Sequence, residues 1–217
     1  MPDTGKPSST SHPRRNQVTP FGDLEATPTR GTMMGNRGDL HEPDGQIRKH
    51  HVGKAWICCT LAERNGRRVI FDTKGHYTPL FFLDEAVAFA AGHRPCAECR
   101  RADFLRFKRH FNRATGRAED QFVSVREIDT LLHRERLDGR TKRIYRAPLD
   151  DLPDGCFFTT ETAPRTPLLL WEGKAYTWSH SGYGAPLRLP DGAEVTVLTP
   201  PTLVAVLRAG YAVARQL

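Results

Sequence analysis

The chain has 217 residues, 38% of them hydrophobic and 26% charged, and a formal net charge of +7. That length can bury a core as one large domain or two small ones, and no stretch approaches the ~18 uncharged apolar residues of a membrane-spanning helix. Five cysteines in a chain whose opening stretch, MPDTGKPSSTSHPRRN, lacks the apolar segment of a secretory signal argue against a disulfide framework. They favour metal ligation or reduced thiols, and a cytoplasmic protein.

Residues 1–32 are rich in Pro, Ser, Thr and Gly, and breakers continue at Gly35, Gly38, Pro43 and Gly45. Residues 1–49 are therefore expected to be a disordered or loosely attached tail. The texture changes at Lys54. Ala55 to Leu61 reads as a buried strand, Asn65-Gly66 as a turn, and Arg68 to Phe71 as a returning strand. Leu80 to Leu83 is a third apolar run. Asp84 has the character of a helix N-cap, with a helix from Glu85 to Ala91 ended by Gly92. A second helix follows Cys99 and runs to about Arg113, with Phe104, Leu105, Phe107 and Phe111 on one broad side. A third starts at Ser124, where Ser124-Val125-Arg126-Glu127 fits a capping box, and ends before Asp138-Gly139.

From Pro148 onward the signals are those of strands: Cys156 to Phe158, Leu168 to Trp171, Lys174 to Trp178 and Glu194 to Leu198. Glu172-Gly173 turns the middle pair into a hairpin. A short helix, Thr202 to Ala209, is stopped by Gly210. The fold class is α+β: a zinc-stabilised hairpin-and-helix module over residues 50–146, then a small β-rich module over 147–217.

The charge is concentrated. Residues 94–146 hold 15 basic and 8 acidic side chains, an excess equal to that of the whole chain. Two readings stand: contact with a polyanion, or a solvated Arg-rich face. On the first, Arg94, Arg100, Arg101, Lys108, Arg109, Arg140, Lys142, Arg143 and Arg146 are the candidate nucleic-acid contacts, since the guanidinium fork matches phosphate.

Cys96 and Cys99 form a C-x-x-C knuckle ahead of a helix, a spacing at which two thiolates chelate one metal ion. A closed tetrahedral site needs two more ligands. Cys58 and Cys59 are the candidates, although neighbours on a strand point to opposite faces, so one of them can be core. His93, His50, His51 and His76 are further candidates. Cys156 reads as core.

The segment Glu85-Ala86-Val87-Ala88-Phe89-Ala90-Ala91-Gly92-His93-Arg94-Pro95-Cys96-Ala97-Glu98-Cys99-Arg100 resembles the zinc-binding, methylphosphotriester-repairing domain of Ada-type DNA repair proteins, and Trp56-Ile57-Cys58 falls where that family has its first ligand. The resemblance covers about residues 54–103. It implies zinc, a nucleic-acid partner that is DNA rather than RNA, a role in repair or nucleic-acid metabolism, and Cys58 as the methyl-accepting thiolate. The family spaces its first pair C-x-x-x-C, whereas Ala62 and Glu63 stand here.

The alternative is an enzyme acting on modified or damaged nucleic acid by alkyl transfer, base excision, deamination or strand cleavage. Pro95-Cys96-Ala97-Glu98-Cys99 also matches half of the zinc deaminase signature, but Leu61 stands where that signature needs a His or Cys before its Glu. Ser179-His180-Ser181 reads as a loop rather than a nucleophile, with Trp178 and Tyr183 available to stack on a base. Asp150, Asp151 and Asp154 read as solvated turn residues.

Overall fold

The computed structural model describes residues 14–40, 42, 46–62 and 77–216. The Asn65-Gly66 turn, the Arg68 to Phe71 strand and His76 lie outside them. The fold is α+β, with two six-stranded sheets.

The first sheet contains β1 (Arg15–Val18), β2 (Leu24–Ala26), β3 (Met33–Asn36), β4 (Ile57–Thr60), β5 (Leu80–Phe82) and β6 (Arg94–Pro95), in the order β2-β1-β5-β3-β4-β6. Residues 14–40, expected to belong to a loose tail, instead supply three of these strands, and β3 is central. The apolar side chains of this stretch are few but well placed: Val18, Leu24, Met34 and Leu40 are all buried. Gly35, which looks like a breaker in the sequence, is a close-packing residue. A Cβ there would stand 2.1 Å from the Ile57 carbonyl oxygen, so only glycine lets β3 and β4 pair at this point.

Helix α1 (Glu85–Ala90) is buried at every position, which its Ala-rich sequence permits because small side chains allow close approach on all sides. Asp84 caps it, accepting from the Val87 N–H at 3.0 Å, and Gly92 follows in the left-handed region at φ 86°. Helix α2 (Arg101–Ala114) buries Phe104, Phe107 and Phe111. Helix α3 (Val125–Arg136) is capped by Ser124, whose hydroxyl accepts from the Glu127 N–H at 3.1 Å. The capping box is half formed, because the Glu127 carboxylate turns away to Arg117 at 2.6 Å.

A small ribbon, β7 (Leu137–Asp138) and β8 (Thr141–Lys142), leads into β9 (Tyr145–Pro148) and a 3-10 turn at Leu149–Asp151. The second sheet adds β10 (Phe157–Thr160), β11 (Ala163–Trp171), β12 (Lys174–Ser179), β13 (Gly182–Leu187) and β14 (Glu194–Val197), in the order β13-β12-β11-β10-β14-β9. Glu172 and Gly173 turn β11 into β12 with φ of 49° and 66°, the double positive-φ turn that matches strand twist. His180 and Ser181 form the turn between β12 and β13, closed by the Ser179–Gly182 pair. Helix α4 (Pro201–Arg208) closes the chain's apolar face against α2 and α3. One apolar core runs from Val18 to Val213 through both sheets, and the expected boundary at residues 146 and 147 falls inside β9.

Buried ion pairs tie this core together. Glu85 is fully buried. It pairs with Arg100 (2.7 Å) and accepts from the Tyr211 hydroxyl (2.9 Å) and the Ala214 N–H (2.9 Å). Arg94 and Asp129 form a two-point pair at 2.7 and 2.9 Å. Removing one partner of such a pair leaves a buried charge unmatched. Glu85→Ala is expected to lower unfolding free energy by about 3–5 kcal/mol in urea titrations. Arg101→Ala, at an exposed position, is expected to stay within about 0.5 kcal/mol.

Candidate metal centre

The period of two along β4 sends Cys58 and Cys59 to opposite faces. Cys58 enters the main core with no exposed surface, its Sγ 3.8 Å from the Met33 sulfur and 3.7 Å from Arg100 Nη1. Cys59 faces the other side, beside Met34, Phe81 and Leu61. β6 runs parallel to β4, and the Cys96 N–H donates to the Cys58 carbonyl at 2.9 Å, which carries the chain directly into the knuckle. The Sγ atoms of Cys59, Cys96 and Cys99 all lie within 4.8 Å of one another.

This arrangement corrects one expected ligand. Cys59 is the strand thiol that meets Cys96 and Cys99; Cys58 is core, and burial holds its thiol above the ordinary range. Facing away from Cys96 and Cys99, Cys58 is out of the group that could hold a metal ion and keep a thiolate there. Cys156 is core, as expected from its isolation.

The donor set suits a soft, thiophilic cation. Hydrogen bonds from the Cys59 and Cys99 thiols pull Cys96 far below the usual thiol range, burial opposes, and backbone N–H groups, that of Glu98 among them, help the charged form. Cys59 is raised in turn, chiefly by its contact with Cys96. A tetrahedral zinc at about 2.3 Å from each sulfur sets neighbouring sulfurs about 3.8 Å apart, a spacing the three can adopt with small side-chain movements. The three cysteines can therefore chelate a metal ion. Beside them is a cleft of ≈ 200 Å³, lined by the three cysteines themselves and by Asn36, Thr60, Tyr77 and Glu98 among others, and among the described residues no fourth cysteine joins them.

His93, His50 and His51 are not at the cysteines. They gather beyond the other end of β4, around Trp56. The ring centroids of His50, His51 and His93 stand 5.4, 5.7 and 5.2 Å from the Trp56 ring, and His133 stands 5.1 Å from His51. Arg37 and Arg136 lie over Trp56 at 3.9 and 4.5 Å. Sequence reasoning passed over Arg37 and His133, and read Arg136 as part of an exposed basic run, whereas it is buried. One signal was present: Ile128, Asp129, Leu132 and Arg136 share the buried stripe of α3, so two charged residues occupy core positions.

The candidate nucleic-acid contacts divide. Arg94 (3% exposed) and Arg100 (8% exposed) are core ion-pair members, the second held by Glu85 and by Asp103 at 2.8 Å, so they are not available to phosphates. Lys142 is turned inward and donates to the Ala90 carbonyl. Arg101, Arg109 and Arg140 are exposed, and Lys108 lies over the Phe122 ring at 5.6 Å. Arg143 and Arg146 are exposed, with Asp138 and Glu194 each at 3.6 Å. Elsewhere, His180 bonds Glu25 at 2.8 Å, the Tyr183 hydroxyl donates to Asp84 at 2.8 Å, and Asp150 and Asp154 accept backbone N–H groups at 2.9 and 2.8 Å. These groups hold turns and strands in place. No helix among the described residues is long and apolar enough to cross a membrane.

Comparison of the chain with protein-family models, curated proteins and solved structures returns no match.

The histidine cluster makes acid stability predictable. His50 is pushed down to about 4, first by burial and then by Arg37, His51, Arg140 and Lys142. His51, His93 and His133 are lowered as well, each chiefly by burial. Below about 6.5 the unfolded chain takes up protons on these imidazoles while the folded chain does not, so stability falls as pH falls. The thermal midpoint is expected to drop between pH 6.5 and about 4, and His50→Gln is expected to flatten that drop. Identical pH profiles for the two proteins would contradict the assignment.

Proposed function

We propose that this chain is a zinc protein that contacts nucleic acid, with Cys59, Cys96 and Cys99 as the protein ligands and an exposed basic surface as the contact. The observation that carries the metal half is the convergence of three thiols within 4.8 Å from two separate parts of the sequence. Three close thiols, one of them favoured as thiolate, are costly to assemble without a cation and are suited to zinc with one. Support for the polyanion half is the charge excess of residues 94–146, with Arg101, Lys108, Arg109, Arg140, Arg143 and Arg146 as the contacts.

A second reading rests on the cleft that Cys59, Cys96 and Cys99 line. Three protein ligands beside a cleft that can admit water or substrate is the layout of catalytic rather than structural zinc. On this reading the protein acts on modified nucleic acid, DNA rather than RNA by the Ada-type resemblance, and Cys59 takes the thiolate role that the resemblance placed at Cys58.

Metal analysis of purified protein tests the centre. About one zinc per chain is expected in the wild type and in Cys58→Ala, and loss of zinc together with a lower thermal midpoint in Cys96→Ser and Cys99→Ser. Zinc retained in Cys59→Ser but lost in Cys58→Ala would overturn the ligand assignment. For the partner, fluorescence anisotropy with DNA and RNA between roughly 50 and 200 mM salt is expected to show a steep loss of affinity. Arg101→Ala with Arg109→Ala is expected to reduce the salt slope by about one for each phosphate no longer neutralised. No binding at the low-salt end would remove nucleic acid from the proposal and leave the zinc centre standing.

A further inference from the structure

The cluster around Trp56 has a property that the metal centre does not explain. Trp56 (1% exposed) has two guanidiniums against its ring, those of Arg37 and Arg136, which are themselves 0% and 1% exposed. Among the described residues, neither bonds a carboxylate. Arg37 donates to the Gly22 carbonyl (2.9 Å) and the His93 imidazole (3.3 Å), and lies 3.4 Å from His50 Nε2. Arg136 donates to the Leu132 carbonyl (3.0 Å) and the Lys54 carbonyl (3.3 Å). Arg37 Nη2 and Arg136 Nη1 are buried with no partner among the described residues, and so is His133 Nδ1. Lys142 is a third cation in the group.

The same protein treats its other buried arginines differently. Arg94 has Asp129 and Arg100 has Glu85. An uncompensated buried cation is expensive, and two arginines and a lysine in one cluster add mutual repulsion. Burial, and then Arg136, push Arg37 down to about 9, with Asp23 opposing; burial pushes Arg136 down to about 9 and Lys142 to about 7. The nearby acids offset the group only in part. Asp129 is taken up by Arg94 and Glu135 by the Thr202 N–H and hydroxyl, while Asp23, which favours the charged forms of Arg37 and Lys142, is itself exposed to solvent. A metal cation is disfavoured by the sign of the field. What the cluster lacks is an anion with several acceptor oxygens that can be approached from more than one side.

We propose that Arg37, Arg136 and Lys142, with the half-buried His50, His51 and His133 around them, form a binding site for a phosphate group. Arg forks and imidazole N–H groups match the multiple oxygens of a phosphate monoester or diester better than the two coplanar oxygens of a carboxylate. The site is distinct from the zinc centre: Trp56 and Cys59 are three residues apart, about 10 Å along an extended strand, on either end of β4. It is distinct from the exposed basic surface too, since its two arginines are inside the fold and Lys142, half-buried, is turned inward to the Ala90 carbonyl.

Calorimetric titration of the zinc-loaded protein tests this with three probes: inorganic phosphate, adenosine monophosphate, and a short DNA oligonucleotide with and without a 5′-phosphate. Sodium acetate at the same ionic strength is the control. Saturable binding of at least one phosphate probe is expected, with none of acetate. Phosphate alone would identify a free-anion site, the mononucleotide a nucleotide site, and dependence on the 5′-phosphate a site for nucleic-acid ends. Lys142→Gln and His133→Ala, which leave the buried arginines in place, are expected to weaken that binding tenfold or more, while Lys174→Gln, at an exposed position on β12, leaves it unchanged. Failure of all the phosphate probes to bind, or binding that is the same in Lys142→Gln and His133→Ala as in wild type, would overturn the proposal.

Discussion

Much of this structure depends on one buried carboxylate. Glu85 begins the central helix and has no exposed surface. Its charge has to be matched inside the protein, and the match is Arg100, the residue immediately after the C-x-x-C knuckle. Arg100 in turn lies against Cys58 and bonds Asp103 in the first turn of α2. A single ion pair thus sets the position of the knuckle relative to the core, the start of α2 and the inward face of β4. Tyr211 and the Ala214 N–H complete the acceptor capacity of the carboxylate, so that residues 211–214 are part of the same lock.

The two sites are arranged at opposite ends of one short strand. β4 is flanked by β3, antiparallel, and β6, parallel. The knuckle arrives along β6 and reaches Cys59 at one end; His93, just before β6, reaches Trp56 at the other. Gly35 permits the close β3–β4 pairing on which both ends rely. The sulfur end collects soft donors and favours a cation. The aromatic end collects guanidiniums and imidazoles and favours an anion. Opposite chemical preferences within a few residues come from the alternation of side chains and from which neighbouring segment meets each end.

Three of the four helices were legible because they carry local punctuation: Asp84 and Gly92 around α1, the Ser124 cap on α3, and the prolines at the start of α4; α2, which has no side-chain cap, was legible from its apolar side. The β11–β12 hairpin was legible from Glu172-Gly173. β1, β2 and β3 were not, because each is short and its stability comes from partners far away in sequence rather than from its own composition. β13 was hidden by glycines and a proline, which an outer strand tolerates. Cys96 and Cys99 were legible from spacing alone. The choice between Cys58 and Cys59 was not, since sequence shows that the two alternate but not which face is core; that phase is set by β3 and β6. Arg94 and Arg100 looked like surface charge because composition does not reveal that Asp129 and Glu85 wait for them in the interior.

The binding of the last described residues to the start of α1 has a bearing on how the protein is made. The Gln216 N–H donates to Asp84 and the Ala214 N–H to Glu85, contacts that span 132 and 129 residues. During synthesis α1 emerges early, yet the acceptors at its N-terminus are not fully satisfied until residues 211–216 have left the ribosome. Such long-separation contacts slow the final step of folding. The nascent chain therefore carries this fully buried helix incompletely anchored while the 129 to 132 residues that separate the partners are made, and the interior becomes complete only when that later segment docks.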